Sequence, residues 1–313
     1  MKNYYMENSM KTRAAYCTED GIVFVEDLVQ KQLLYRIDIF GDRYKYLLYE
    51  WNIRPCFFFS PDEKWLIITY GMGYIYYVEM ATGMICERIR LFDDVDYEDN
   101  SFEDLDICCY YNEYTHIDFS VSGRYMCARV RGDFDPQESD GRENMFAPVF
   151  FRSVFVFDMN TKEEVFKYTY PETEEYEATS LGTIAFSPDE NLFVTGVFGG
   201  LVKVFDLLSG KEIASLEQLE WVAEPCDIDN RRLVAFLSNN EFLYVNNDKE
   251  LVWVVLESFS NCYIKTKIVR EEIASIRTLF DIEYDCINKA IKCYGWEKNP
   301  ICIIELQDVN YDL

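Results

Sequence analysis

Apolar residues fall along this chain in short runs separated by turn-forming residues, and one stretch of the pattern occurs twice. "FFFSPDEKWLIITYGMGYIYYVEMATGMICERI", Phe57 to Ile89, and "IAFSPDENLFVTGVFGGLVKVFDLLSGKEIASL", Ile184 to Leu216, keep step without a gap once Ser60 is set on Ser187. Gly73 then falls on Gly200, Glu79 on Asp206, Thr82 on Ser209 and Gly83 on Gly210. Each copy holds an apolar run, a Ser-Pro-Asp-Glu break, a second run, a Gly-containing break, a third run and a Thr/Ser-Gly break. A closing run, Met84 to Phe92 or Lys211 to Leu216, completes it. Runs of this length with these breaks predict a four-stranded antiparallel meander. Pro61 and Pro188 preset φ in the first turn, and Gly73 and Gly200 can supply the positive φ of a tight hairpin.

Other segments follow the same grammar. "HIDFSVSGRYMCARV" (His116 to Val130) supplies a first and second run, and "SVFVFDMNTKEEVFKYTY" (Ser153 to Tyr170) a third and fourth, with an insertion at 131–152 between them. "CDIDNRRLVAFLSNNEFLYVNNDKELVWVV" (Cys226 to Val255) is a further copy, with turns at Asn239-Asn240 and Asn246-Asn247-Asp248. "RAAYCTEDGIVFVEDLVQKQLLYRIDI" near the start supplies three runs. "LFDIEYDCINKAIKCYGWEKNPICIIEL" near the end supplies three more, preceded by a stretch, Arg270 to Thr278, that is open to a short helix.

These residues resemble the WD-repeat β-propeller family, whose repeats carry a Ser-Pro-Asp turn between the first two strands and an aromatic-Asp pair ending the third. Phe157-Asp158 and Phe205-Asp206 stand at that pair, and Val78-Glu79 does so more loosely. No copy has Trp before the acid or a Gly-His dipeptide ahead of the repeat, and the single histidine, His116, lies too close to Ser120 for that role. The His and Asp network of the family is therefore not expected, and the resemblance is to architecture. It implies an all-β chain forming one β-propeller over 1–313, built of four-stranded antiparallel blades, six or seven in number with six readable. One blade cannot bury both faces alone, so the text repeats because the structural unit does. The bland alternative is two unrelated β-domains that share turn chemistry.

Composition agrees with sheet: 49% of residues are hydrophobic and 17% aromatic, including 24 Tyr and 23 Phe. The formal charge of -26 opposes phosphate backbones and anionic lipid, so neither nucleic acid nor membrane is expected as a partner. "MKNYYMENSM" lacks the apolar core of an export signal, no run reaches the ~20 apolar residues of a membrane span, and the eleven cysteines show no CxxC. A soluble chain with reduced thiols in the cytoplasm is the simplest expectation.

Candidate chemistry is sparse. One His and no GxSxG elbow leave a nucleophilic triad dependent on His116, which reads as a strand-start residue whose loss should change little. The acidic loop at 93–113 invites comparison with a calcium loop, but aligning Asp94, Asp96 and Glu98 puts Asp99 where Gly is needed and Leu105 where the bidentate Glu belongs. No metal, cofactor or catalytic residue is assigned. The acids read instead as two negative loops on one rim, Asp93, Asp94, Asp96, Glu98 and Asp99 in one and Glu172, Glu174 and Glu175 in the other. In the insertion, Phe134 and Phe146 are candidate interface anchors, whereas Phe150 and Phe151 begin the next strand.

The expected function is a non-catalytic protein-interaction module or scaffold with a basic protein partner. Two rivals stand beside it: an immunity- or inhibitor-type protein that neutralises a basic toxin or nuclease, and a propeller hydrolase or lyase using channel carboxylates.

Overall fold

The computed structural model describes residues 3–18, 20–39, 55–70, 74–91, 114–131, 153–170, 181–197, 201–218, 233–246, 248, 250–258, 261–268, 281–294, 300 and 302–306. They form six antiparallel sheets, five of four strands and one of three, and no α-helix occurs among them. The first sheet holds β1 (Asn3–Glu7), β2 (Arg13–Cys17), β3 (Ile22–Asp27) and β4 (Gln32–Asp38). The second holds β5 (Cys56–Phe59), β6 (Trp65–Tyr70), β7 (Tyr74–Glu79) and β8 (Ile85–Arg90). The third holds β9 (Tyr114–Phe119), β10 (Tyr125–Arg131), β11 (Ser153–Asp158) and β12 (Glu164–Thr169). The fourth holds β13 (Leu181–Phe186), β14 (Leu192–Val197), β15 (Leu201–Asp206) and β16 (Glu212–Gln218). The fifth holds β17 (Val234–Phe236), β18 (Glu241–Val245), β19 (Leu251–Ser258) and β20 (Asn261–Ile268), and the sixth β21 (Asp281–Asp285), β22 (Ala290–Tyr294) and β23 (Cys302–Glu305). In every sheet the strands lie in chain order, so the fold is all-β and blade-based.

The turns explain why the pattern repeats. Ser60, Ser120 and Ser187 follow the first strand of three sheets, and each Oγ accepts the backbone N–H five residues on, from Trp65 at 3.0 Å, Tyr125 at 3.0 Å and Leu192 at 2.9 Å. Asn8 does the same work in the first sheet, its Oδ1 accepting from Arg13 N at 2.9 Å and Thr12 N at 2.8 Å. All four polar side chains are buried, and these bonds offset their desolvation. Three residues after each stands a left-handed residue: Lys11 at φ 54°, Glu63 at 56°, Gly123 at 75° and Glu190 at 61°. The glycine breaks expected to be left-handed, Gly73 and Gly200, lie outside the described residues, as does the stretch 270–278.

A second signature is common to all six sheets. The residue just past the third strand, or the third from its end in the fifth sheet, donates its backbone N–H to the carbonyl that precedes the second strand. The pairs are Leu28 to Thr12 (2.8 Å), Met80 to Lys64 (2.8 Å), Met159 to Arg124 (2.7 Å), Leu207 to Asn191 (2.8 Å), Leu256 to Asn240 (2.9 Å) and Leu306 to Lys289 (3.0 Å). Each donor is a Leu or Met, and all but Leu28 are buried. The first sheet also has a strand the pattern does not announce, β1, which raises its three readable runs to four.

Two compact units divide the chain, Met1–Glu163 and Glu164–Leu313. In the first, β1 lies beside β5 and β5 beside β9. Its apolar side chains gather into one core with Val25, Phe57 and Leu66 and another with Ile67, Tyr77, Met126 and Phe155. In the second, β13 lies beside β17 and β17 beside β21, around a core that includes Val204, Phe242, Trp253 and Ile291. Neighbouring sheets within each unit thus meet at their first strands, as blades do. Among the described residues no helix is long and apolar enough to cross a membrane.

Candidate functional site

Strand alternation in β9 sends His116 and Asp118 to one face and Ile117 and Phe119 to the other. Across the ladder, Arg129 stands opposite His116 and Cys127 opposite Asp118, so four side chains with titratable or charged groups share one face. Asp118 Oδ2 lies 3.3 Å from His116 Nε2 and 3.6 Å from Arg129 Nη2, and the three side chains are 12%, 7% and 8% exposed. The Phe58 ring of β5 meets the imidazole edge-on at 5.2 Å. His116 is therefore the third residue of its strand and a buried member of a charged cluster, not the strand-start residue expected from sequence.

The blade itself does not require this cluster. At the positions of His116 and Arg129 the second sheet pairs Cys56 with Thr69, and the fourth pairs Thr183 with Gly196. At those of Asp118 and Cys127 they pair Phe58 with Ile67 and Ala185 with Val194. Buried charge confined to one of several equivalent repeats marks a place where the sequence departs from what packing alone asks. The cluster's chemistry is that of a charge-paired support. Burial pushes the Cys127 thiol well up, the Asp118 charge adds to this and the Arg129 charge opposes it, so the sulfur stays a protonated thiol. Among the described residues no group of three or more His, Cys, Asp or Glu side chains converges to hold a metal ion.

One pleat beyond the cluster, Tyr114 pairs with Arg131 at the end of the β9 and β10 ladder. The acidic segment up to 113 enters the sheet at Tyr114, and the insertion leaves it at Arg131. The two segments therefore depart from neighbouring strand ends. Every side chain singled out in them, Asp93, Asp94, Asp96, Glu98, Asp99, Phe134 and Phe146, lies outside the described residues. So do Glu172, Glu174 and Glu175, in the segment that follows β12 and precedes β13. Both acidic segments run from a fourth strand to a first.

The acids of the aromatic-Asp pairs serve the turns. Asp158 Oδ1 accepts the N–H of Asn160 at 2.8 Å and its Oδ2 accepts from Arg124 Nε at 3.3 Å, while Asp206 Oδ1 accepts the N–H of Ser209 at 2.7 Å. The carboxylates of the Ser-Pro-Asp turns are held low. Burial pushes Asp62 up, but hydrogen bonds from Lys64 and Ser60 outweigh it; burial likewise opposes Asp189, where Ser187 and Asn191 prevail. Asp285 is lowered by hydrogen bonds from Asn288 and Lys292. These groups are turn caps rather than proton donors.

The His116, Asp118 and Arg129 cluster was the feature that reading for motifs passed over. Laying the copies against each other at Ser60, Ser120 and Ser187 exposes it, because charged residues then stand in columns of apolar and small ones. No protein-family model matches the chain, and comparison with curated proteins finds no match.

Proposed function

We propose that the chain is a non-catalytic β-propeller of the WD-repeat kind, cytoplasmic, that binds another protein through its acidic segments. The observation that carries this reading is the paired exit at Tyr114 and Arg131, which brings the roots of the acidic segment and of the aromatic-bearing insertion together on one sheet. Charge acts first: a net -26 raises the encounter rate with a basic surface and falls off beyond a Debye length of about 8–10 Å at ordinary ionic strength. Phe134 and Phe146 then supply the apolar anchors that hold a docked complex. The buried Asp118–Arg129 ion pair ties together the two strands from which the segments spring.

The test compares the native chain with a variant carrying Asp93→Asn, Asp94→Asn, Asp96→Asn, Glu98→Gln and Asp99→Asn. Each is used to capture partners from cytosol at low and high salt, and the association rate of the recovered protein is then measured. The reading requires a basic partner whose association slows at least several-fold in the variant and in salt, with a smaller change in dissociation. A partner that binds both chains at equal rates, indifferent to salt, removes it. Recovery of a basic nuclease or toxin that loses activity on binding narrows the role to that of an inhibitor.

A further inference from the structure

In the sixth sheet the register of β22 and β23 sets Cys293 directly opposite Cys302. Residues facing each other in an antiparallel ladder have Cα atoms about 4.5–5.5 Å apart. A disulfide spans Cα separations of about 4.4–6.8 Å. Both side chains point to the same buried face, among the apolar residues that include Ile291 and Ile304 of the same two strands, and no disulfide joins them. Among the described residues no other two cysteines stand opposite each other: Cys56 faces Thr69, Cys127 faces Asp118 and Val156, and Cys17 faces Asn3 and Val23.

We propose that Cys293 and Cys302 are a redox-modifiable pair, which a small disulfide oxidant such as oxidised glutathione converts to a cross-strand disulfide tying β23 to β22. One cysteine, as thiolate, attacks a glutathione sulfur, forming a mixed disulfide and releasing one reduced glutathione. The second thiolate attacks the protein sulfur of that mixed disulfide and expels the other glutathione. Two protein thiols are oxidised, one glutathione disulfide is reduced to two thiols, and the two protons lost by the cysteines end on the two glutathione sulfurs. Burial, with the neighbouring Cys302 adding to it, pushes the Cys293 thiol up to about 12, so the closed sheet presents almost no thiolate at neutral pH. Oxidation therefore proceeds when β23 opens locally, and the bond once made holds that strand down.

The experiment uses the full chain, incubated with oxidised glutathione in native buffer, alkylated and digested with trypsin. Lys292 and Lys298 place Cys293 on its own peptide, Cys293 to Lys298, and Cys302 on the next, which begins at Asn299. The proposal expects these two peptides joined, the free thiols down by two from eleven, a higher urea midpoint, and reversal of all three by a dithiol reductant. It is overturned if both thiols stay free, if a glutathione adduct forms and is never resolved, or if either cysteine joins a different one. Cys302→Ser must abolish the rise in midpoint; a rise that survives this change also overturns the assignment. Should that variant not fold, the peptide map of the native chain decides alone.

Discussion

Asp118 and Arg129 hold opposite charges 3.6 Å apart, Oδ2 to Nη2, where 12% and 8% of their side-chain surfaces reach solvent. The second sheet puts Phe58 and Thr69 at the same two places, so one repeat carries ions where another carries an aromatic ring and a hydroxyl.

Asp118→Ala removes the carboxylate that faces the Arg129 guanidinium and the His116 ring. Removing one partner of a buried pair costs about 3–5 kcal/mol, because the remaining charge keeps its desolvation and loses its compensation. The double variant Asp118→Phe with Arg129→Thr, which copies the second sheet, should lose less than the two single changes added together. Urea denaturation of the four chains measures this; a coupling below about 0.5 kcal/mol would mean that the two groups act independently.

The third-to-fourth-strand turn gives four comparable left-handed positions, Lys31 at φ 55°, Gly83 at 71°, Lys162 at 61° and Gly210 at 67°. At Gly210 an added Cβ would meet Phe166 Cδ2 at an ordinary 3.8 Å, so Gly210→Ala should cost only the backbone strain of about 1–2 kcal/mol. At Gly83 the same Cβ would overlap the Tyr35 ring, whose hydroxyl donates to the Met80 carbonyl at 2.9 Å. Gly83→Ala should therefore cost clearly more, by a further 1–3 kcal/mol or about that, since the ring must move and give up its bond. Lys31→Gly, at an exposed position, should instead gain about 0.5–1 kcal/mol. Thermal midpoints rank the three; equal losses at Gly83 and Gly210 would refute the part given to Tyr35.

Much of this turn chemistry was legible in the sequence. Ser-Pro-Asp-Glu announced a turn because Pro61 and Pro188 preset φ, and the structure adds that Ser60 Oγ donates to Asp62 Oδ1 at 2.7 Å, as Ser187 does to Asp189. The Leu or Met at or just past the end of the third strand was equally present in every copy, yet a single apolar residue there says nothing until the copies are aligned. The buried ion pair was hidden for a different reason. Alternating polar and apolar residues read as one face toward water, and only the pairing of β9 with its neighbours reveals that His116, Asp118 and Arg129 face protein. β1 was missed because "NYYME" carries little apolar contrast, and Tyr5 and Met6 are indeed exposed. The acidic residues chosen from sequence lie outside the described residues, and the repeat grammar, which locates strands and their tight turns, does not reach them.

Tyr16 offers a test in alkali. Its hydroxyl donates to Glu26 Oε1 at 2.7 Å, and burial first, then this bond and the Glu26 charge, push its pKa up to about 12. A folded pKa above the unfolded value of about 10 means that Tyr16 contributes its full stabilisation below pH 10 or so and loses it as pH rises toward the folded value. A phenolate absorbance titration should find one tyrosine in this range that Glu26→Gln moves downward, though not to the ordinary value, because burial remains. If Glu26→Gln leaves the titration unchanged, the hydrogen bond has no part in the shift.

In the second unit the largest single loss should come from Phe166. Its ring lies 5.0 Å from Phe205 and 5.6 Å from Phe193, centroid to centroid, in tilted and edge-on geometries that suit aromatic quadrupoles. Tyr168, two residues along the same strand, adds a contact with Phe205 at 4.7 Å, so one fourth strand supplies two rings to one cluster. Phe166 is 6% exposed, and Phe166→Ala leaves a void beside the buried Phe193 and Phe205 rings. The expected cost is about 3–5 kcal/mol, against about 1 kcal/mol or less for Val165→Ala, whose side chain faces outward at the next position. Urea denaturation followed by near-ultraviolet circular dichroism measures both, and comparable losses from the two changes would show that the aromatic cluster does not hold this strand.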